Sequence, residues 1–328
     1  MDSRSYAFFK AYGNHCMAYT GLEPGMSHFI LDDVGYIAHS HYKHWLWARK
    51  GLELVVADPV CAPENYHKLV SQFVKKYPHV LFVQVSRAFA NVLHEMGYQV
   101  NEFGYETDIP VQDFSLTGKH RAKLRQWQNK CCREGVIIKE ASFSDYPHPE
   151  EINALSKEWL KNKKGEGLGI LFRPLRLKDE RDVRYFMAFK EDKLVGFAIF
   201  DPIYANGKII AYYHNLDRIS ASAPHGTSAS IILAAIATFK EEAVEYVSLG
   251  MSPLKLHRAQ TWELPGFNRF TRQAFWYAYE KLNFIYPFQG NASHKKKFNG
   301  EMKPVYISGT NGMNISSVLL LLKAIGML

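Results

Sequence analysis

Cysteine is scarce in this chain: Cys16, Cys61, Cys131 and Cys132 are the four among 328 residues, and no two stand at C-x-x-C spacing. A disulfide-stapled scaffold is therefore excluded, and the thiols read as reduced. H-E-x-x-H and Walker motifs are absent, so there is no metal-hydrolase or ATPase signature, and no metal site is expected. Long apolar runs are missing too. The nearest, Val318 to Leu322, meets Lys323, well short of the ~20 residues a spanning helix needs. Met1 to Gly13 carries Asp2, Arg4 and Lys10 without an apolar stretch, unlike a secretory signal. These absences point to a cytoplasmic protein, one still able to sit peripherally at the inner membrane face.

What is present supports a packed core. Hydrophobic residues make up 47%, charged residues 22% and aromatics 14%, which excludes a disordered tail. The length suits two domains. Lys plus Arg is 40 against 32 Asp plus Glu, a formal net charge of +8. That excess favours an anionic partner, whether RNA, a nucleotide cofactor or an anionic membrane. A basic but inert surface fits it equally.

The order of elements occurs twice. Leu52 to Asp58 reads as a strand, and Pro63 to Lys76 as a helix with Tyr66, Leu69, Val70, Phe73 and Val74 on one stripe. His79 to Val85 is a buried strand, Arg87 to Met96 a helix, and a further strand begins at Gly97. In the second half, Arg184 to Lys190 and Leu194 to Phe200 alternate around the turn Glu191-Asp192-Lys193. Lys208 to Leu216 is a strand, Ser228 to Val244 a helix and Tyr246 to Gly250 a strand. The boundary falls near residue 140, giving units 1–140 and 141–328 with two similar sheets.

This repeated order resembles the GCN5-related (GNAT-like) acyltransferase fold: α/β, with a central mixed, splayed sheet flanked by helices. Such a fold places an acyl donor where two strands part, beside a helix N-terminus whose free N–H groups meet an anion. Here that helix starts at Pro224-His225-Gly226-Thr227-Ser228. Gly226 permits close approach and Thr227 can cap. The Gly-rich repeat of a coenzyme A loop is absent, so a plain helix cap is an equal reading.

Particular residues carry a closer resemblance. In order they are Ala57-Asp58-Pro59-Val60, Gln84-Val85-Ser86, Phe114-Ser115-Leu116-Thr117-Gly118-Lys119 and Lys123-Leu124-Arg125. Ser156-Lys157-Glu158-Trp159-Leu160 and Leu249-Gly250-Met251-Ser252-Pro253-Leu254 follow, then Phe288-Gln289-Gly290 and Lys295-Lys296-Lys297-Phe298. Roughly from residue 50 to 308, the chain is similar to the C-terminal domain of the aminoacyl-phosphatidylglycerol synthases, the phosphatidylglycerol lysyltransferase family. The resemblance implies tandem GNAT-like domains, aminoacyl transfer from charged tRNA to a lipid hydroxyl, and a stand-alone transferase without the flippase. The family's Asp-Leu-Met-Arg is here Asn215-Leu216-Asp217-Arg218, and Asn291, Ala292, His294, Met302 and Val305 depart from its tail pattern.

An aminoacyl ester is already activated. The enzyme must position an amine or hydroxyl, take its proton and stabilise an oxyanion, and no cofactor is required. Tyr213, His214, Asn215, Asp217 and Arg218 crowd the end of a central strand, the usual ligand edge of an open α/β sheet. Arg218 suits a phosphate or carboxylate. His214 is a candidate base, or a side chain facing away. Asp217 is a turn residue, an Arg partner or a catalytic carboxylate. His225 is a second base candidate, Ser252 a pocket lining or a loop stop, and Glu158 a holder of a substrate amine or a solvated side chain. Trp159 is expected in the core.

Two basic stretches stand out. Lys119, Arg121, Lys123, Arg125, Lys130 and Arg133 flank Leu124, Trp127 and Cys131 at helical spacing. One face can pack while the other meets phosphates of tRNA or lipid, or only water. Lys295, Lys296 and Lys297 form the second, with Lys295 a candidate phosphate contact; the resemblance makes Lys297 the functional lysine, with a surface charge run as the alternative. Asn314 to Leu328 reads as an amphipathic helix docked on the domain or on lipid.

The expected function is aminoacyl transfer from aminoacyl-tRNA to a phosphatidylglycerol-like lipid or another small hydroxyl or amine acceptor. Charged tRNA and anionic phospholipid are the expected partners, and DNA is not. A coenzyme A-dependent N-acyltransferase, with acyl-CoA as donor, is the first alternative. A non-catalytic tRNA- or lipid-binding module is the second.

Overall fold

The computed structural model describes residues 3–44, 48–162, 174–284 and 286–313. The first half runs α1 (Ser3–Tyr12), β1 (Ser27–Leu31), β2 (Gly35–His44), β3 (Ala48–Val56), β4 (Val60–Cys61), α2 (Tyr66–Lys76), β5 (Val80–Val85), α3 (Arg87–Glu95) and β6 (Val100–Pro110). The stripe foreseen on α2 is buried as Tyr66, Leu69, Val70 and Phe73. Ser86 caps α3, its hydroxyl accepting the Phe89 N–H at 3.3 Å.

The second half runs α4 (Ala122–Arg133), β7 (Ile137–Glu140), α5 (Pro149–Asn162), β8 (Arg184–Lys190), β9 (Lys193–Ala205), β10 (Lys208–Ile219), α6 (Thr227–Glu241), β11 (Tyr246–Pro253), α7 (Arg269–Lys281), α8 (Phe288–Lys296) and β12 (Glu301–Gly309). The β8–β9 hairpin turns on Glu191 (φ 51°) and Asp192 (φ 60°), the left-handed pair that a tight hairpin needs.

The strands form one sheet in the order β1-β2-β3-β5-β12-β6-β11-β10-β9-β8-β7, with β4 beside β2. The expectation of two separate sheets is thereby corrected. β3 and β5 run parallel, joined by α2; β10 and β11 run parallel, joined by α6. β12 lies antiparallel on β5, β6 lies antiparallel on β11, and β6 and β12 pair with each other. Each half thus lends its last strand to the other. An open edge is a liability, and this exchange closes two of them. β7 and α4 precede residue 140 yet pack with later elements: β7 pairs β8, and Leu124 and Trp127 share a core with α6.

Strand alternation feeds both faces of the sheet. Along β8, Phe186 and Ala188 enter the core under α4 and α6, whereas Tyr185 and Met187 enter the core with α1 and α5. Phe186, Phe200 and Phe239 are fully buried, each worth ~1.5–3 kcal/mol. α2 and α3 cover Val55 and Phe82. Phe275 of α7 meets Phe103 and Tyr213.

Candidate active site where two strands part

β10 and β11 run together for three residue pairs, Ala211↔Tyr246, Tyr212↔Val247 and Tyr213↔Ser248. Past them β10 continues to Ile219 and β11 to Pro253 without pairing each other. A bulge then decides which side chains line the gap. β10 matches β9 at His214↔Phe200 and again at Leu216↔Ile199, so Asn215 is an extra residue. Strict alternation would set His214 and Asp217 on opposite faces. The bulge returns both to the α6 side and sends Arg218 to the α5 side.

On the α6 side the Ser228 hydroxyl donates to Asp217 Oδ2 at 2.5 Å. Burial pushes the Asp217 carboxyl up, but His214, the Ser228 hydroxyl, His294 and Arg218 together hold it below its ordinary range. Burial pulls His214 down against the pull of Asp217, with Lys295 adding to the lowering. Burial takes His294 down to about 4, opposed by Asp217 and reinforced by His214, Lys295 and Lys297. Both rings are therefore neutral near pH 7, and the buried His214 Nε2 has no hydrogen-bond partner.

Lys295 occupies the gap itself. Its Nζ donates to the Met251 carbonyl at 2.6 Å, beyond the last β10–β11 pair. Burial brings its ammonium down to about 7, against the attraction of the Glu106 and Asp217 carboxylates. Lys297, the lysine indicated by family resemblance, turns back on α8 instead. Its Nζ donates to the Ser293 carbonyl (2.9 Å) and hydroxyl (3.1 Å) and lies 5.3 Å from the Trp127 ring centroid.

A second buried polar group adjoins Lys295. Glu106 accepts from Gln84 Nε2 at 2.8 Å and from the Cys16 thiol at 3.3 Å, with His15 Nε2 3.6 Å away. His15, Cys16 and Glu106 place donor atoms within 4.8 Å of one another, the one such grouping among the described residues. The Met17 N–H, however, donates to His15 Nδ1 at 3.1 Å. The ring proton then sits on Nε2, the atom facing Glu106, and leaves it no lone pair for an ion. Burial, with Glu106 and Asp108, pushes the Cys16 thiol up, so it stays protonated. The group is a hydrogen-bonded knot rather than a ligand set.

On the α5 side the Arg218 guanidinium lies 3.8 Å from the Trp159 ring centroid, and its Nη1 donates to the Asp217 carbonyl at 3.0 Å. Burial lowers it to about 10, and its buried Nε has no partner. Trp159 is only half-buried, a correction to its expected core position: it forms the shelf on which Arg218 rests. Glu158 spends its carboxylate on the Ser220 hydroxyl (3.2 Å) and the Ala221 N–H (3.0 Å), pinning the loop after β10.

The remaining candidates take these places. Asn215 Nδ2 donates to Asp201 at 2.6 Å. Tyr213 is buried against Gly250, where a Cβ would stand 2.5 Å from its ring. Ser252 is fully buried on β11. Gly226 has φ 107°, and a Cβ there would meet Trp127 Cβ at 2.5 Å, so glycine is required for α4 to pack on α6. The Thr227 hydroxyl donates to the Pro224 carbonyl at 2.7 Å. His225 is exposed, edge-on to Trp127.

The basic stretch divides. Arg121 donates to the carbonyls of Ser115 (2.6 Å) and Phe298 (3.2 Å), and Arg125 to those of Leu116 and Gly118. Lys130 pairs with Glu134 at 3.6 Å. Lys119, Lys123 and Arg133 face solvent. The Asn314 to Leu328 segment lies outside the described residues.

Sequence reasoning missed Ser228, Trp127, His294 and the Glu106 knot as parts of this region. One signal was available: Glu102, Glu106 and Asp108 stand within one strand, β6, which is buried almost throughout, and buried carboxylates need partners.

The parted parallel strands of this α/β fold thus hold two buried histidines, a lysine and an anchored carboxylate about one gap. The chain belongs to the family described as phosphatidylglycerol lysyltransferase, C-terminal, whose sequence profile matches residues 6–308. It is 27% identical over 328 residues to the phosphatidylglycerol lysyltransferase of Bacillus subtilis, covering 97% of this chain and 36% of that protein. The Staphylococcus xylosus protein of the same name is 24% identical over 266 residues, covering 77% and 30%. The chain thus spans about a third of the length of these relatives.

Among solved structures, L-PGS from Bacillus licheniformis superposes with a TM-score of 0.78 at 20% identity, covering 99% of this chain and 97% of that one. A C-terminal domain assigned to lysylphosphatidylglycerol synthetase from Agrobacterium fabrum gives 0.76 at 19%, with the same coverage. These two share the fold. Among the described residues no helix is long and apolar enough to cross a membrane.

Proposed function

We propose that this chain moves an aminoacyl group from charged tRNA to the glycerol hydroxyl of phosphatidylglycerol at the cytoplasmic membrane face. The observation that supports it is the Lys295 amine in the gap between β10 and β11, brought down to about 7 beside Asp217, in a chain matched by the family over nearly its whole length. The domain reading that accompanies it is two acyltransferase-like repeats divided near residue 140. The second, 141–328, holds the site, with Trp127 leaning in from α4.

In the reaction the lipid hydroxyl oxygen attacks the ester carbonyl carbon and a C–O bond forms. Its proton passes to the neutral Lys295 amine. The bond from that carbon to the tRNA ribose oxygen breaks, and the ribose oxygen takes up the proton. Asp217, fixed by Ser228, stabilises the ammonium while it carries the proton. Arg218, with an unpartnered Nε, binds phosphate. Trp127 fills the space beside Gly226 at the start of α6, where a coenzyme A pyrophosphate would need room, and this favours the tRNA ester over acyl-CoA.

The test is to incubate the chain with tRNA carrying radiolabelled lysine and with phosphatidylglycerol vesicles, and to count label in the lipid phase. Label is expected there. Label that stays on tRNA, or transfer that proceeds from an acyl-CoA instead, overturns the reading.

A further inference from the structure

We propose that the outward face of α7, continued by Phe284, is a docking surface for an anionic phospholipid bilayer. The proposal rests on the lipid acceptor inferred above and adds the surface by which the chain reaches it. Eight large hydrophobic side chains are exposed among the described residues, and four of them fall within residues 270–284. These are Phe270 (83% exposed), Trp276 (58%), Tyr277 (58%) and Phe284 (76%), all aromatic. The other four are dispersed along the chain, at Tyr12, Ile137, Leu160 and Met302.

The inward face of α7 is fully used, so the helix cannot roll to hide these rings. Phe275 and Tyr279 are buried. Arg272 bonds Glu102 (3.1 Å), Glu263 (2.8 Å) and the His257 carbonyl (2.6 Å). The first turn is held by Asn268, whose side chain accepts the N–H groups of Phe270 (2.9 Å) and Thr271 (3.1 Å). Phe270 and Tyr277, seven residues apart, therefore stand on one outward stripe.

The composition of the patch favours a bilayer over a protein partner. Its large exposed hydrophobic side chains among the described residues are all aromatic, and Trp and Tyr are at home at headgroup level, with an apolar ring and a polar tip. Arg269 and Lys281 are exposed at the two ends of α7, and Glu280 is its one acidic residue. A positive rim around aromatic rings complements an anionic surface. The patch is also tied to the site: α7 leads to α8, which carries Lys295, and Gln289 of α8 donates to the Tyr279 carbonyl at 3.3 Å.

The experiment sediments the 328-residue chain with vesicles of mixed phosphatidylglycerol and phosphatidylcholine, and with phosphatidylcholine alone. It compares the wild type with a Phe270→Ser, Phe284→Ser double variant whose fold is checked by circular dichroism. Both side chains lie in solvent, so the variant is expected to fold. Wild-type binding to the anionic vesicles is expected, and at least about tenfold weaker binding by the variant. Trp276→Phe should remove most of the vesicle-induced shift in tryptophan emission.

Equal binding by both proteins, or no wild-type binding, overturns the surface. A wild-type dimer that the double variant splits would assign the patch to a second copy and also overturn it. Binding is read without transfer. A chain that binds vesicles yet transfers nothing therefore sinks the proposed activity alone. A chain that acylates dispersed short-chain lipid yet ignores vesicles sinks this surface alone.

Discussion

Asp217 and Arg218 are consecutive residues that point to opposite faces of one sheet: Asp217 accepts from Ser228 of α6 at 2.5 Å, while the Arg218 guanidinium lies 3.8 Å from the Trp159 ring of α5. The bulge at Asn215 sets this phase. It gives His214 and Asp217 one side of the gap and the stacked Arg218 cation the other.

Arg218→Ala is expected to lower kcat/KM by at least about tenfold while the protein stays folded. A hydrogen bond to a charged group is worth ~1.5–3 kcal/mol, and ~1.4 kcal/mol is tenfold in rate. Trp159→Leu, which removes the shelf and leaves the cation, should cost less. Steady-state kinetics with labelled tRNA checks both. Unaltered kinetics in Arg218→Ala would leave the residue no role beyond stacking on Trp159.

Lys295 should print its titration on both activity and stability. Transfer should rise as pH passes about 7, where the buried amine loses its proton. For stability the sign follows from proton counting. The unfolded chain keeps this proton up to the ordinary lysine range and the folded chain releases it near 7. The unfolded state therefore binds more protons in that window, and stability rises with pH across it. Denaturant unfolding from about pH 6 to 10 should show that slope, and Lys295→Met should flatten it. A slope unchanged in the variant would mean that Lys295 titrates as an ordinary surface lysine.

The exposed and the tied basic residues near α4 should separate in a salt titration of tRNA binding. Lys119, Lys123 and Arg133 are free to meet phosphates, so changing Lys119 and Lys123 to Gln should make the log–log salt slope shallower by roughly one to two units. Arg125 holds the Leu116 and Gly118 carbonyls, so Arg125→Gln should lower stability and leave the slope alone. The reverse pattern would place the tRNA on the other side of the helix.

Arg272→Ala should be among the most damaging single changes outside the gap, costing about 3–5 kcal/mol. It strands Glu102 and Glu263, whose side chains are 0% and 2% exposed, without their common cation. The denaturant midpoint reads the loss. A midpoint near wild type would show that water reaches both carboxylates.

Local patterns were legible because they need only neighbours. The apolar stripe of α2, the β8–β9 turn at Glu191 and Asp192, and the β10–α6–β11 order are set by side chains a few residues apart. Family motifs carried the chain to its relatives for the same reason, since they are short and contiguous. The strand exchange was not legible. β12 meets β5 across more than 200 residues, as Tyr306 does Val85, and no local period encodes a partner so distant. The division of the candidate site was hidden as well. Alternation from sequence parts His214 from Asp217, and only the register against β9 reveals the extra residue that brings them together. Likewise nothing in the run Lys295-Lys296-Lys297 marked Lys295 as the buried one, and the family resemblance indicated Lys297. Burial in the gap brings Lys295 down to about 7, because desolvation depends on what packs around a group and not on its place in the chain.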